Sequence, residues 1–217
     1  MLRHILFMRS GSKGEVTTRS TRINTGKMVR LAVLVAIILL MAYTPLGYLR
    51  VGLIEITFIM IPVAIAAIIV GPYGGAIAGG VFGITSFLMC FGQSPFGTAL
   101  LGINPVFTFI LCMVPRILAG LIPGLIYKAG NAQKKANHKT MYIMLASLAA
   151  PLLNTVLFVG GLFVLFGSTA FVRGFGESAW AIIVALVGVN GLVEAGVGFI
   201  VIAAVSRALM HFVPVKS

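Results

Sequence analysis

The sequence predicts an all-α integral membrane protein, folded as a compact bundle of six transmembrane helices with both termini in the cytoplasm. Hydrophobic residues make up 59% of the 217-residue chain, and charged residues make up only 9%. The mean hydropathy of +1.11 is far above that of a water-soluble domain of this length. The apolar residues fall into six runs, each close to the ~20 residues that cross a hydrocarbon core.

The chain divides into one membrane domain and two short tails. Residues 1–27 are polar and basic and contain no apolar segment long enough for a signal peptide, so we predict a disordered cytoplasmic tail. Residues 28–210 form the six-helix membrane domain, and residues 211–217 form a cytoplasmic C-terminal tail. Because Met28 directly precedes the first apolar run, a translation start at Met1 or at Met28 is compatible with the sequence.

The approximate ranges of the six predicted crossings are 28–45, 53–70, 72–92, 104–128, 140–167 and 178–210. An even number of crossings places both ends on one side. Thirteen of the sixteen Lys and Arg residues lie near the two ends or between the fourth and fifth runs, which makes that side cytoplasmic. The segments that then face outside are 46–52, 93–103 and 168–177. The net charge of +12 therefore reflects membrane topology and not a surface for nucleic acid.

The residue types exclude most catalytic and metal-binding functions. The chain contains no aspartate, and its three histidines lie in predicted cytoplasmic segments. Its two cysteines, Cys90 and Cys112, lie inside apolar runs and provide neither a disulfide framework nor a CxxC metal site. A GxxxxGK[ST] phosphate loop is absent. We therefore predict a protein that is not an enzyme, that binds no metal ion or cofactor itself, and that takes any energy for transport from a partner.

Four glycines recur every fourth residue at the start of the third run. Gly71, Gly75, Gly79 and Gly83 would lie on one face of a helix. In lipid, a face of small residues lets a neighbouring helix approach to backbone contact. We therefore predict that these glycines pack the third helix closely against a neighbouring helix. The simplest interpretation is ordinary helix packing followed by a connecting loop.

Four polar side chains at the depth of the membrane centre are candidate binding groups, because polar residues are costly in lipid. They are Arg116 in the fourth run, Asn154 in the fifth, and Asn190 with Glu194 in the sixth. A spacing of four residues places Asn190 and Glu194 on one helix face. Together these groups would surround a small polar ligand. Two alternatives stay open: a buried ion pair between Arg116 and Glu194, and hydrogen bonds between helices from the two asparagines.

Three motifs follow one another along the membrane domain. The first run contains AxxxA at 32–36, and the fourth contains PRILAG at 115–120. Between them, Pro62 is followed by GPYGGA at 71–76 and by Gly79. With its basic termini and without an ATPase motif, the chain resembles the substrate-binding (S) components of energy-coupling factor (ECF) vitamin transporters. These three motifs are similar to the patterns of that family, which are AxxxA, P…GPxxGxxxG and PRxLxG.

The resemblance implies a division of labour with partner proteins. An S component of this family captures a water-soluble vitamin from outside and works with a coupling module of one transmembrane protein and two ATPases, which hydrolyse the ATP. Ala32 and Ala36 would form the small face on which the transmembrane coupling protein docks. The implied location is the prokaryotic plasma membrane. The long tail before Met28 is a departure, since family members usually begin close to the first helix.

Within the family, the chain looks most like the pantothenate-type members in segments 90–97, 103–105, 154–155 and 190–194. This resemblance implies a substrate site under loops one, three and five, against helices four to six. Its expected residues are Arg116, Asn154, Asn190, Glu194, Gln93, Ser94 and Asn104.

The substrate has alternatives. The carboxylate of pantothenate needs a cationic contact, which we expect from Arg116, with Arg50 and Arg173 in the outer loops as rivals. The chain would be an S component for another vitamin or precursor if its substrate were folate, a hydroxymethylpyrimidine or a pyridoxine-type precursor. A stand-alone secondary transporter is disfavoured, because the membrane segments contain a single carboxylate at mid-depth and no clear repeat.

Overall fold

A computed structural model of the chain describes residues 25–44, 47–51, 54–131, 136–176, 178, 184 and 188–212. Its helices and strands are α1 (Thr25–Ala42), β1 (Tyr48–Val51), β2 (Ile54–Thr57), α2 (Met60–Ile69), α3 (Pro72–Met89), α4 (Pro95–Ile103), α5 (Pro105–Asn131), α6 (Ala136–Phe166), α7 (Ala170–Arg173) and α8 (Gly188–Phe212). The predicted tail 1–27 lies outside the described residues apart from its end, which belongs to α1. The predicted C-terminal tail lies outside them beyond Phe212.

Four helices in the described part of the chain are long and apolar enough to cross a membrane: α1, α3, α5 and the segment Thr140–Phe166 of α6. They coincide with the first, third, fourth and fifth predicted crossings. Helix α8 covers residues 188–210 of the predicted sixth crossing, whereas residues 179–183 and 185–187 lie outside the described part. The helices fit a multi-pass membrane protein, and the count of six crossings stays a prediction.

The second predicted crossing, 53–70, is not a single helix. Its first residues form β2, which pairs antiparallel with β1 so that Tyr48 lies opposite Thr57 and Val51 opposite Ile54. β-branched residues such as Ile54 and Thr57 favour an extended backbone. The described part of the chain is therefore all-helical apart from this hairpin, which the sequence analysis does not predict.

Helix α2 is enclosed by other helices and is by itself shorter than a membrane crossing. It has 10 residues, which makes it about 15 Å long against about 30 Å for a hydrocarbon core. Every residue of α2 except Ile61 is buried, and α2 packs against α1, α3, α5, α6 and α8. Its all-round apolar composition is typical of a helix enclosed by others.

Two segments predicted as outward loops contain short helices. Helix α4 lies within 93–103, and α7 lies within 168–177. The hydroxyl of Ser94 accepts a hydrogen bond from the backbone N–H of Gly97 at 3.2 Å, and Pro95 follows at the first helical position. A serine cap followed by proline is a standard helix start. These two segments therefore contain regular secondary structure and are not simple connecting loops.

The glycines of α3 lie against α5. A Cβ atom on Gly75 would collide with the carbonyl oxygen of Gly120, and one on Gly79 with that of Arg116. A Cβ atom on Gly83 would lie 2.9 Å from the carbonyl oxygen of Cys112. The two helices thus touch backbone to backbone, which is the arrangement that small residues permit in membranes.

Gly71 does not belong to this face, so the predicted packing role is wrong for this residue. It precedes α3, and a Cβ atom there would meet nothing within 4 Å. Its φ of 114° and ψ of −179° form a backbone conformation essentially restricted to glycine. Gly71 is needed for the turn between α2 and α3.

Buried apolar residues in the described part of the chain form two clusters. The main cluster joins α1, α2, α3, α5, α6 and α8, and Val63, Phe82 and Ala146 are among its fully buried members. The second cluster consists of Leu100, Leu111, Leu162, Phe166 and Val172. It joins α4 and α7 to α5 and α6. The candidate site lies where these two clusters meet.

Candidate substrate-binding site

Arg116 is buried between the two apolar clusters. Only 8% of its surface is exposed. Its guanidinium carbon lies 5.5 Å from the ring centre of Phe82, in the main cluster, and 4.6 Å from that of Phe158, beside the second cluster. Both distances are within the range of cation–π attraction. A charged side chain in an apolar membrane bundle is costly, which makes Arg116 a candidate binding residue.

The Pro115–Arg116 pair explains the direction of this side chain. Proline has no N–H, so Pro115 leaves the carbonyl of Leu111, one turn earlier in α5, without its helical partner. The Nη1 atom of Arg116 donates to that carbonyl oxygen at 2.8 Å. The guanidinium is therefore drawn back along α5 towards the second cluster, and one of its nitrogens stays bound to the helix.

Among the described residues, several buried polar atoms have no hydrogen-bond partner, and three of these atoms belong to residues of the candidate site or of the hairpin. They are Nε of Arg116, Oδ1 of Asn154 and Oγ1 of Thr57. Asn154 is only 5% exposed and lies one turn before Phe158 on α6, on the same helix face. Buried polar groups are nearly always paired, so each exception needs an explanation. A polar ligand that reached these groups would supply the missing hydrogen bonds.

Glu194 joins α8 to the hairpin. Its Oε1 atom accepts a hydrogen bond from the backbone N–H of Thr57, 137 residues away in sequence. Among the described residues no contact ion pair joins Glu194 to Arg116, and each side chain makes its hydrogen bond elsewhere. Glu194 therefore does not form the contact ion pair with Arg116 that the sequence left open. Asn190 lies one turn earlier on α8, and its side chain lies outside the described atoms.

Three predicted site residues lie at helix starts or at the surface of the bundle. Ser94 caps α4, as described above, and Gln93 beside it is exposed. The Oδ1 atom of Asn104 accepts hydrogen bonds from the N–H groups of Val106 and Phe107, both at 3.1 Å, and so caps α5. The contribution of all three to ligand binding stays a prediction, while Ser94 and Asn104 have a structural role at the helix ends.

An aromatic group covers the site. Phe96 on α4 lies 6.3 Å from Phe158 and 5.6 Å from Phe171 on α7, measured between ring centres. Phe175, just after α7, completes the group at 6.1 Å from Phe96. Phe158 also lies over the guanidinium of Arg116. Helices α4 and α7 are therefore connected to Arg116 through the ring of Phe158.

The sequence analysis missed several groups at this site. Thr57, Phe82 and Phe158 belong to no motif, and each looks like an ordinary residue of an apolar run. Phe158 had one signal, its spacing of four residues from Asn154. Nothing local marks Thr57, because its position depends on the hairpin and on Glu194.

The chain matches the family model described as "ECF transporter, substrate-specific component" over residues 26–206. It belongs to this family. The resemblance found in the sequence is therefore confirmed, and the S component is a transport protein of the plasma membrane and not an enzyme. Membership implies that it associates with an ECF module and a small-molecule vitamin substrate.

Two relatives of this S component carry a substrate in their names. The pantothenate transporter PanT of Leuconostoc mesenteroides is 31% identical over 184 residues, covering 81% of this chain and 87% of the relative. The pantothenic acid transporter PanT of Lactococcus lactis subsp. cremoris is 31% identical over 166 residues, covering 70% and 76% respectively. Both alignments cover most of the membrane domain.

Proposed function

We propose that this S component binds pantothenate from outside and delivers it inward with an ECF coupling module, whose ATPase subunits hydrolyse the ATP. The observation that carries the proposal is the buried guanidinium of Arg116, whose Nε atom has no hydrogen-bond partner in the part of the chain that the structure describes. An anionic ligand would both neutralise this charge and complete its hydrogen bonds. The two relatives named as pantothenate transporters support the same substrate.

The chemistry of pantothenate matches the polar and aromatic groups that we assign to the site. Its carboxylate suits the guanidinium, and its hydroxyl and amide groups suit the unpaired oxygens of Asn154 and Thr57. Its dimethyl group is apolar and suits the rings of Phe82 and Phe158, which flank the guanidinium. In this proposal Glu194 holds the hairpin over the ligand, and Asn190 contributes from the same face of α8.

The proposal includes the orientation in the membrane. The chain crosses six times with both termini in the cytoplasm, as its basic residues favour, and the hairpin, α4 and α7 face outside. Ala32 and Ala36 are exposed on α1, which leaves a small-residue stripe available to the transmembrane protein of the coupling module. Prokaryotic cells carry such a complex in their plasma membrane.

Isothermal titration of the detergent-purified chain against a panel of B vitamins tests the substrate. We expect saturable heat with pantothenate at about one ligand per chain, in the tight range below about 1 μM that a high-affinity capture protein needs. Folate, a hydroxymethylpyrimidine and pyridoxine serve as matched negative ligands. Absence of heat with pantothenate, from protein shown to be folded by thermal unfolding, would contradict the proposal.

Substitution of Thr57 by valine tests the hairpin hydroxyl. Valine keeps the shape and removes the oxygen, and a lost hydrogen bond costs about 1 kcal/mol, so pantothenate should bind roughly fivefold more weakly. The ligand-free protein should keep its stability, because this hydroxyl has no hydrogen-bond partner among the described residues. Serine at the same position is the control and should preserve affinity. Equal affinity of the valine variant and the wild type would remove Thr57 from the site.

A further inference from the structure

The two cysteines of the chain meet in the fold. Cys90 ends α3, and Cys112 lies in α5. Their sulfur atoms are 4.0 Å apart, and both residues are buried, with 3% and 5% of their surfaces exposed. A disulfide bond is about 2.05 Å long, so a movement of about 1 Å by each sulfur atom would bring them to bonding distance. No other cysteine in the sequence competes for either partner.

Cys90 is also the residue on which α4 rests. The Oγ1 atom of Thr98 donates to the carbonyl oxygen of Cys90 at 2.9 Å. A Cβ atom on Gly97 would lie only 2.6 Å from the sulfur of Cys90, so the backbone of α4 packs directly on this thiol. A bond through Cys90 would therefore hold the start of α4 as well as the end of α3.

Cys112 connects the same pair to the site. It precedes Arg116 by one turn of α5, on the same helix face. On the other side, α4 carries Phe96, whose ring contacts Phe158 above the guanidinium. The cysteine pair thus lies between the cover helix and the residue that we expect to hold the ligand.

We propose that Cys90 and Cys112 are a reversible oxidation site, and that their disulfide fastens α4 over the substrate site and slows exchange of the ligand. The oxidant is a peroxide, which is small and uncharged and so can enter an apolar bundle. One sulfur attacks hydrogen peroxide, forming a sulfenic acid and releasing one water. The second sulfur then attacks the sulfenic sulfur, forming the S–S bond and releasing a second water. The two thiols lose two electrons and two protons in all, and a thiol reductant reverses the reaction.

The bond is tested on the full chain in lipid nanodiscs. The protein is treated with hydrogen peroxide and then denatured in the presence of a maleimide, which labels free thiols. Its intact mass is then measured. We expect a chain that has lost two hydrogen atoms and takes up no maleimide, and that takes up two after reduction. The Cys90→Ser and Cys112→Ser variants are the matched controls, and each should keep one reactive thiol. Two maleimides on oxidised wild-type protein, or bonds only between different chains, would overturn the proposal.

The effect on exchange rests on the proposed function and has its own measurement. Labelled pantothenate should leave the oxidised protein several-fold more slowly than the reduced protein, and peroxide should change neither serine variant. Equal dissociation rates with the disulfide formed would overturn the role of the bond in holding α4. Absence of pantothenate binding in both redox states would count against the proposed substrate. The intact-mass measurement would then be the test of the disulfide itself.

Discussion

Replacement of Arg116 by methionine is expected to abolish pantothenate binding while sparing its alcohol analogue, in which a CH2OH group replaces the carboxylate. Methionine preserves much of the apolar contact with Phe82 and Phe158 and removes the charge. Loss of one partner of a buried charge pair costs about 2–5 kcal/mol, which corresponds to roughly 30-fold to 4,000-fold in affinity. Titration of wild type and variant with both ligands measures the difference.

The same substitution also removes the hydrogen bond from Arg116 to the carbonyl of Leu111, so a control for folding is needed. Arg116→Gln keeps a donor for this carbonyl without the charge and should show the same loss of the acid. Thermal unfolding of each variant without ligand reports the structural part. Equal loss of acid and alcohol from a folded variant would mean that Arg116 supports the fold and does not contact the carboxylate.

Substitution of Gly79 by alanine is expected to destabilise the bundle strongly. The new Cβ atom would collide with the backbone carbonyl of Arg116, and neither helix backbone can move aside as a flexible side chain would. Overpacking of this kind costs about 3 kcal/mol. Thermal unfolding in detergent should show a clearly lower midpoint, together with weaker pantothenate binding, because the displaced backbone is that of Arg116 itself.

Gly80 is a matched control on the same helix. A Cβ atom there would lie 3.9 Å from the nearest side-chain atom, in Ile117, which is ordinary van der Waals contact. Since alanine favours a helix over glycine by about 1 kcal/mol, Gly80→Ala should leave the midpoint unchanged or raise it. Similar midpoints for the Gly79 and Gly80 variants would contradict the backbone contact between α3 and α5.

The second predicted crossing shows where sequence patterns were insufficient. Residues 53–70 are continuously apolar apart from a few positions, and hydropathy does not distinguish a buried helix from a strand and a helix in series. The glycine face was predictable from spacing for Gly75, Gly79 and Gly83, because helical periodicity is local. Gly71 shares that spacing, but its backbone lies in a turn.

The candidate site was predictable only in part, for a similar reason. Arg116 and Asn154 stand out because they are polar residues at membrane depth, which the sequence reveals directly. Glu194 stands out in the same way, but its partner, Thr57, could not be predicted from sequence. The aromatic rings of Phe82 and Phe158 were hidden, since an apolar residue in an apolar run carries no local mark.

The sequence by itself determined the membrane class, the family and the polar residues at mid-depth, because composition, motif order and periodicity are properties of neighbouring residues along the chain. Only the tertiary structure decided which of these groups meet. It brought Thr57 to Glu194 across 137 residues and Cys90 to Cys112 across 22. Such meetings depend on how α3, α5, α6 and α8 pack around α2. That packing is set by the shapes of whole helix faces, which no single segment of the sequence contains.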